Sequence, residues 1–256
     1  MRKGKQPEEA IQISFTPLES RVTLQQPIFI DVSIYNGLAD TISVDFGHNR
    51  KCAFDVIVTN SDGSTAQASP LSDWDFGRAG DFAIDASENY RQRLLLNERY
   101  LFRAPGNYRV DIKLTTPITD SLGRVVEPRV APPMTLTVEP RAPAQLEEIS
   151  HSLAQIAIES TDVEKAMEAG LALSYIIDPI AVPYLTRVLN RSRLAWSEAA
   201  SGLGRIATDD AVKALVEVLR DPDSLAHEGA RSVLHHVMEK TQDPSLKSRI
   251  KSALVR

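Results

Sequence analysis

A chain of 256 residues, 43% hydrophobic and 25% charged, is long enough for two cores of ordinary domain size. Its net charge is −5 and both halves are acidic, with 13 Lys and Arg against 16 Asp and Glu from Ala144 onward and 16 against 18 before it. A nucleic-acid binder carries a basic stripe, so no nucleic-acid partner is expected.

Cys52 is the sole cysteine, which excludes an intrachain disulfide and a cysteine zinc cluster. A lone thiol is expected to be a buried small hydrophobe. No run approaches the roughly 18 consecutive apolar residues of a membrane span. The basic start at Met1 to Lys5 has no apolar stretch behind it, so the chain as written is expected to carry no export signal. The compartment stays open, an extracytoplasmic one included if a leader has been trimmed.

From Ile11 to Pro140 the apolar residues recur with period two. Ile28, Ile30, Val32 and Ile34 share one face; so do Ile42, Val44 and Phe46, then Phe54, Val56 and Val58. Leu94 to Leu96, Tyr108 to Leu114 and Met134 to Val138 continue the pattern, with Ile11 to Phe15 in front. Seven or eight short strands without intervening helices predict an antiparallel β-sandwich. Pro105-Gly-Asn-Tyr108 resembles the tyrosine corner of immunoglobulin-like domains, in which the phenol packs on the core and its hydroxyl ties down the preceding connection.

Tyr35-Asn-Gly-Leu-Ala-Asp40, Phe54-Asp-Val-Ile-Val58, Asp62-Gly63 and Pro105-Gly-Asn-Tyr108 together resemble the bacterial proteinase-inhibitor sandwiches of the BsuPI-like family. That likeness implies inhibition through a loop rim. Two long connections, Ser61 to Tyr90 and Thr115 to Pro133, are the candidates to build it. With strands alternating in direction, their departures and the Asn36–Asp40 turn are expected at one end. Trp74 and Phe76 would be its aromatic contacts, or would fold back over the sheet. Asp73, Asp75, Asp81 and Asp85 lack the acidic spacing of a calcium loop and are expected to be solvated.

Val138-Glu-Pro-Arg-Ala-Pro-Ala144 is a short Pro-punctuated linker. The expected domains are residues 1–140, all β, and residues 145–256, all α. Gln145 to Ile158 has helical spacing. Asp162, Asp178-Pro179, Thr208-Asp209, Asp221 to Ser224 and Asp243-Pro244 mark successive helix starts. Laid over itself at an offset of 30, the chain matches at Leu173/Leu203, Ile176/Ile206, Ala181/Ala211, Val182/Val212, Leu185/Leu215, Val188/Val218 and Leu189/Leu219. An apolar period of this size predicts a short helical solenoid.

Asp178-Pro-Ile-Ala-Val-Pro-Tyr-Leu-Thr-Arg-Val-Leu189 and Asp209-Asp-Ala-Val-Lys-Ala-Leu-Val-Glu-Val-Leu219 resemble HEAT repeats of the short type found in phycocyanobilin lyases. The resemblance implies a scaffold whose helical pairs present a surface to another protein. It departs where such repeats often set an Arg before the central Ala pair: Trp196 and Ala226 precede Ala199-Ala200 and Gly229-Ala230. Arg193, Trp196 and Arg205 fall near the second-helix face where partners dock, and Trp and Arg are favoured interface anchors, with a place in the core equally open to Trp196. Adjacent His235 and His236 point about 100° apart on a helix and are poorly placed to share a metal. No catalytic, cofactor-binding or metal-binding set is expected, nor any cofactor. The sequence therefore points to a non-catalytic protein-interaction adaptor with a protein partner, with proteinase inhibition by the sandwich loops as the alternative.

Overall fold

The computed structural model describes residues 10–46, 50–67, 80–221 and 224–255. The period-two stretches are strands: β1 (Ile11–Pro17), β2 (Arg21–Thr23), β3 (Phe29–Asn36), β4 (Ile42–Asp45), β5 (Phe54–Thr59), β6 (Thr65–Gln67) and β7 (Asp81–Ile84). They continue with β8 (Asn89–Leu95), β9 (Gly106–Leu114), β10 (Ile118–Asp120), β11 (Val125–Val126), β12 (Arg129–Val130) and β13 (Met134–Glu139). They form three sheets, in the orders β12-β1-β3-β8, β11-β10-β4-β7 and β2-β13-β9-β5-β6.

The alternation decides which face each strand buries. In β3, Ile30, Val32 and Ile34 are buried while Asp31, Ser33 and Tyr35 face outward. Aromatic rings join different sheets: Phe15 of β1 meets Phe54 of β5 edge-on with centroids 6.1 Å apart, and Phe46, just after β4, stacks on Tyr90 of β8 at 4.7 Å. Tyr108 is buried, and its hydroxyl donates to the Ala104 carbonyl at 2.6 Å, the corner bond that the Pro105-Gly-Asn-Tyr108 stretch predicts. Burial pushes the Tyr108 phenol above its ordinary pKa, aided by neighbouring Tyr100.

Four expectations are corrected here. The strands are more numerous than seven or eight, because the two long connections themselves carry short ones. The Ser61 connection folds back at once: Gly63, at φ +82°, closes a tight turn in which Asn60 Nδ2 donates to Ser64 Oγ, and β6 then pairs with β5. The Thr115 connection contains β10 to β12. Pairing is mostly antiparallel, but β12 runs parallel to β1, with Gln12 opposite Arg129.

The shared rim also fails. In the antiparallel β5–β9 ladder, Thr59 lies opposite Arg109 and Phe54 opposite Leu114. The Ser61 and Thr115 departures therefore leave opposite ends of one ladder. Asn36 Nδ2 donates to the carbonyls of Asp40 and Ile84, which fixes the Asn36–Asp40 turn locally. Lastly, Cys52 is exposed, not buried, in a 3-10 turn at Arg50–Ala53.

By contacts the chain divides into two units, and the helical one combines Thr23–Pro27 with Pro140–Arg256. Within it, the Thr23 hydroxyl donates to the Pro140 carbonyl at 2.9 Å and accepts from the Ala142 N–H at 2.8 Å. Its helices are α1 (Pro143–Glu159), α2 (Val163–Ser174), α3 (Val182–Arg191), α4 (Trp196–Ile206), α5 (Asp209–Val218), α6 (His227–Lys240) and α7 (Pro244–Leu254). Asp162, Thr208 and Asp243 cap α2, α5 and α7 by accepting first-turn N–H bonds. Asp178 caps a 3-10 turn at Pro179–Ala181 that runs into α3. Pro143 occupies the first turn of α1, where a missing N–H costs nothing. The helix expected to be capped by Asp221 to Ser224 begins later, at His227, with no side-chain cap.

The helices form two rows, α1, α3, α5, α7 and α2, α4, α6, each packed on the next in its row. Most residues of the 30-residue match are buried; Ile206 and Leu219, at helix ends, are partly exposed. Neighbouring helices approach closely at small residues. A Cβ added at Gly202 in α4 would stand 2.8 Å from Ser174 Cα and 2.9 Å from Leu185 Cδ2. Among the described residues no helix is long and apolar enough to cross a membrane.

Candidate functional site

The described residues singled out from sequence, Arg193, Trp196 and Arg205, each stand in a different setting. Trp74 and Phe76 lie outside the described residues, as do Asp73 and Asp75. Arg193 is exposed in the turn before α4. Trp196 opens α4, is partly buried against the helical core, and lays its ring on Gly229 of α6 so closely that no Cβ would fit there. It therefore serves as packing between two helices. Arg205 is also engaged inside the unit: its Nη1 donates to the Ser174 carbonyl at 3.2 Å and hydroxyl at 2.9 Å. Its guanidinium lies over the Tyr175 ring, 4.1 Å from the centroid. Arg205 thereby satisfies a carbonyl at the C-terminal end of α2.

Other polar side chains within the helical rows are spent in the same way. Buried Ser192 donates to the Ala157 carbonyl at 2.7 Å and accepts from the Ala195 N–H at 3.0 Å, joining the end of α1 to the α3–α4 turn. Asp178 accepts from Arg141, through Nη2 at 2.8 Å and Nε, and from the Ile180 N–H at 3.0 Å. The Arg141 hydrogen bonds are the main reason its carboxyl titrates below the ordinary carboxylate range, against the opposing effect of burial. His235 and His236 are both exposed. Among the described residues, no group of three or more His, Cys, Asp or Glu is placed to hold a metal ion.

What the sequence reading missed is a cleft of about 780 Å3 among α5, α6 and α7. Its apolar part comes from Val216, Leu219 and Ala253. Arg220 follows α5, Arg231 lies on α6 and Arg249 on α7, so arginines from three elements line one concavity. Arg249 is paired with the exposed Asp209 at 3.0 Å. Among the described residues, Arg220 and Arg231 form no ion pair and no carboxylate is part of the lining. His227 adds an imidazole whose Nδ1 lies 3.3 Å from the Asp221 carbonyl. The three arginines lie on different elements, 11 and 18 residues apart, so no pattern within one helix marks them. Chemically, the site offers forked cationic donors beside an apolar surface.

The sequence pattern described as the PBS lyase HEAT-like repeat matches residues 197–221, from α4 through α5. No curated protein matches the chain. Among solved structures, it is similar to the CARDB domain of a Pyrococcus furiosus protein in complex with di-metal ions, at 11% identity and a TM-score of 0.29 over 54% of this chain and 100% of that one. It is similar to Spo0M, a sporulation control protein from Bacillus subtilis, at 11% identity and a TM-score of 0.29 over 56% of each chain. It is also similar to a PapD-like domain of human CEP192, at 11% identity and a TM-score of 0.26 over 56% of this chain and 93% of that one.

Proposed function

We propose that this protein is a non-catalytic protein–protein interaction adaptor. On this reading the β unit is an immunoglobulin-like sandwich, and the helical unit is a short HEAT-type solenoid that presents its surface to a protein partner. The observation that carries the reading is the helical repeat: two rows of stacked helices, a period of 30 residues, and a HEAT-like match within them. Such arrays present broad surfaces formed by many helices, which suits binding to another protein. The inward polar groups support binding over catalysis, because Ser192, Asp178 and Arg205 are each occupied in tying helices together.

Among the proposed contact residues, Arg193 is the exposed one on the helical unit. Trp196 and Arg205 maintain the surface through the α4–α6 and α2–α4 contacts. Trp74 and Phe76 are proposed contacts of the sandwich.

The test is affinity capture by the full-length chain from extract of its source organism, paired with stoichiometric inhibition assays against each mechanistic class of protease. A retained protein partner whose binding weakens in Arg193→Ala, without any protease inhibition, is the expected result. Retention of nothing, or stoichiometric inhibition of a protease, would overturn the adaptor reading. Arg205→Ala serves as the internal control, expected to lower helical stability first and capture only as a consequence.

A further inference from the structure

We propose that the cleft among α5, α6 and α7 docks an acidic peptide segment of a protein partner. The segment's carboxylates would be held by Arg220 and Arg231, and its apolar side chains would lie on Val216, Leu219 and Ala253. This rests on the protein-interaction reading and gives the partner a chemistry.

The first support is charge. Cations removed from water are normally paired, yet Arg231 is half-buried and, like exposed Arg220, has no carboxylate partner among the described residues. Asp209 is engaged with Arg249, and Glu228, 4.0 Å from the His227 Nε2, has a side chain 86% exposed and is screened by water. The net charge of the whole chain is −5, so the cleft is a local cationic site on an acidic protein. A ligand with carboxylates is drawn to this place and repelled from most others.

The second support is shape and lining. A volume near 780 Å3 falls in the range of about 300–1,000 Å3 typical of ligand clefts. The planar fork of a guanidinium matches a carboxylate through two parallel N–H bonds, which a point-charge ammonium does not. Inorganic phosphate would use the arginines but not Val216, Leu219 and Ala253. A nucleic acid would need a cationic track longer than one cleft, and both halves of this chain are acidic. A peptide mixing acidic and apolar residues uses both parts of the lining.

The experiment is fluorescence anisotropy on the full-length protein with a fluorescein-labelled peptide alternating Glu and Leu. Its comparison probes are the equivalent Lys–Leu peptide, a Glu–Ser peptide, inorganic phosphate as competitor, and a labelled single-stranded oligonucleotide. The Glu–Leu peptide is expected to bind, to weaken with added salt, and to lose about tenfold or more in affinity in Arg220→Ala and in Arg231→Ala. Circular dichroism checks that both variants fold, and Lys213→Ala, a cation outside the cleft lining, should bind as the parent does. Equal binding of Glu–Leu and Glu–Ser peptides, full displacement by phosphate, or tighter binding of the oligonucleotide would overturn the proposal. So would binding unchanged in both arginine variants. Failure here is separable from failure of the adaptor reading: a partner still captured by the Arg220→Ala, Arg231→Ala double variant docks elsewhere.

Discussion

Replacing Gly202 by Ala sets two effects against each other, and the structure decides between them. In the interior of an exposed helix this change stabilises by about 1 kcal/mol, because Gly is the poorer helix former. At Gly202 the new methyl would stand 2.8 Å from Ser174 Cα, 2.9 Å from Leu185 Cδ2 and 3.0 Å from Ser174 Cβ. Carbon atoms are comfortable at roughly 3.5–4.0 Å, so each contact is short by half an ångström or more. Leu185 can turn its terminal methyl aside, but Ser174 presents backbone at the end of α2, which moves only if the α2–α4 pair separates. Such overpacking costs about 1–3 kcal/mol, more than the propensity gain. We expect Gly202→Ala to lose about 0.5–2 kcal/mol net, read from urea unfolding followed by circular dichroism at the helical band. The urea slope should stay unchanged, which marks a change in stability without a change in the surface exposed. A gain near 1 kcal/mol would refute the close approach of α2 and α4 and, with it, the packing of that row.

Two further outcomes follow from bonds on either unit. Tyr108→Phe removes the hydroxyl donor to Ala104, whose residue is exposed and can turn its carbonyl to water; the expected loss is about 1 kcal/mol by urea unfolding, and no loss would mean that the corner bond is absent. Asp178 titrates below its unfolded value, so its carboxylate contributes stability that is present above about pH 3.9 and is lost as pH falls through the lower folded pKa. The stability difference between the parent and Asp178→Asn should therefore shrink as pH is lowered from neutral into the acid range. A difference that stays constant with pH would argue against the Arg141–Asp178 pair.

The parts of this fold that read directly from sequence are those fixed by local chemistry. Period-two burial in β3 and the 30-residue apolar match are consequences of side chains pointing to one face. Asp162, Thr208 and Asp243 bond the N–H groups of their own first turns, so a few neighbouring residues suffice to recognise them. The missed strands are short, and β6, β10 and β11 surround tight turns at Gly63 and Gly123, residues with positive φ whose meaning depends on a partner strand. The parallel β12–β1 pair joins residues far apart in the chain, which no local pattern encodes. For Trp196 the sequence leaves docking and core readings side by side, because the glycine that receives its ring lies on another helix. The arginine cleft was invisible for the same reason: its three cations become neighbours only after α5, α6 and α7 have packed.

The inclusion of Thr23–Pro27 in the helical unit has a consequence for the order of assembly. Helical repeats form mostly from contacts close in sequence, and such topologies fold quickly. The bonds from Thr23 to Pro140 and Ala142 span 117 and 119 residues, so they close loops as long as a small domain. On the ribosome, Thr23 emerges long before the partners that will hold it. The helices can assemble from their own neighbours, so we expect this early segment to lock on late. A protein begun at Pro140 would keep α1 to α7 yet lack that final fastening, and should unfold faster rather than fold more slowly.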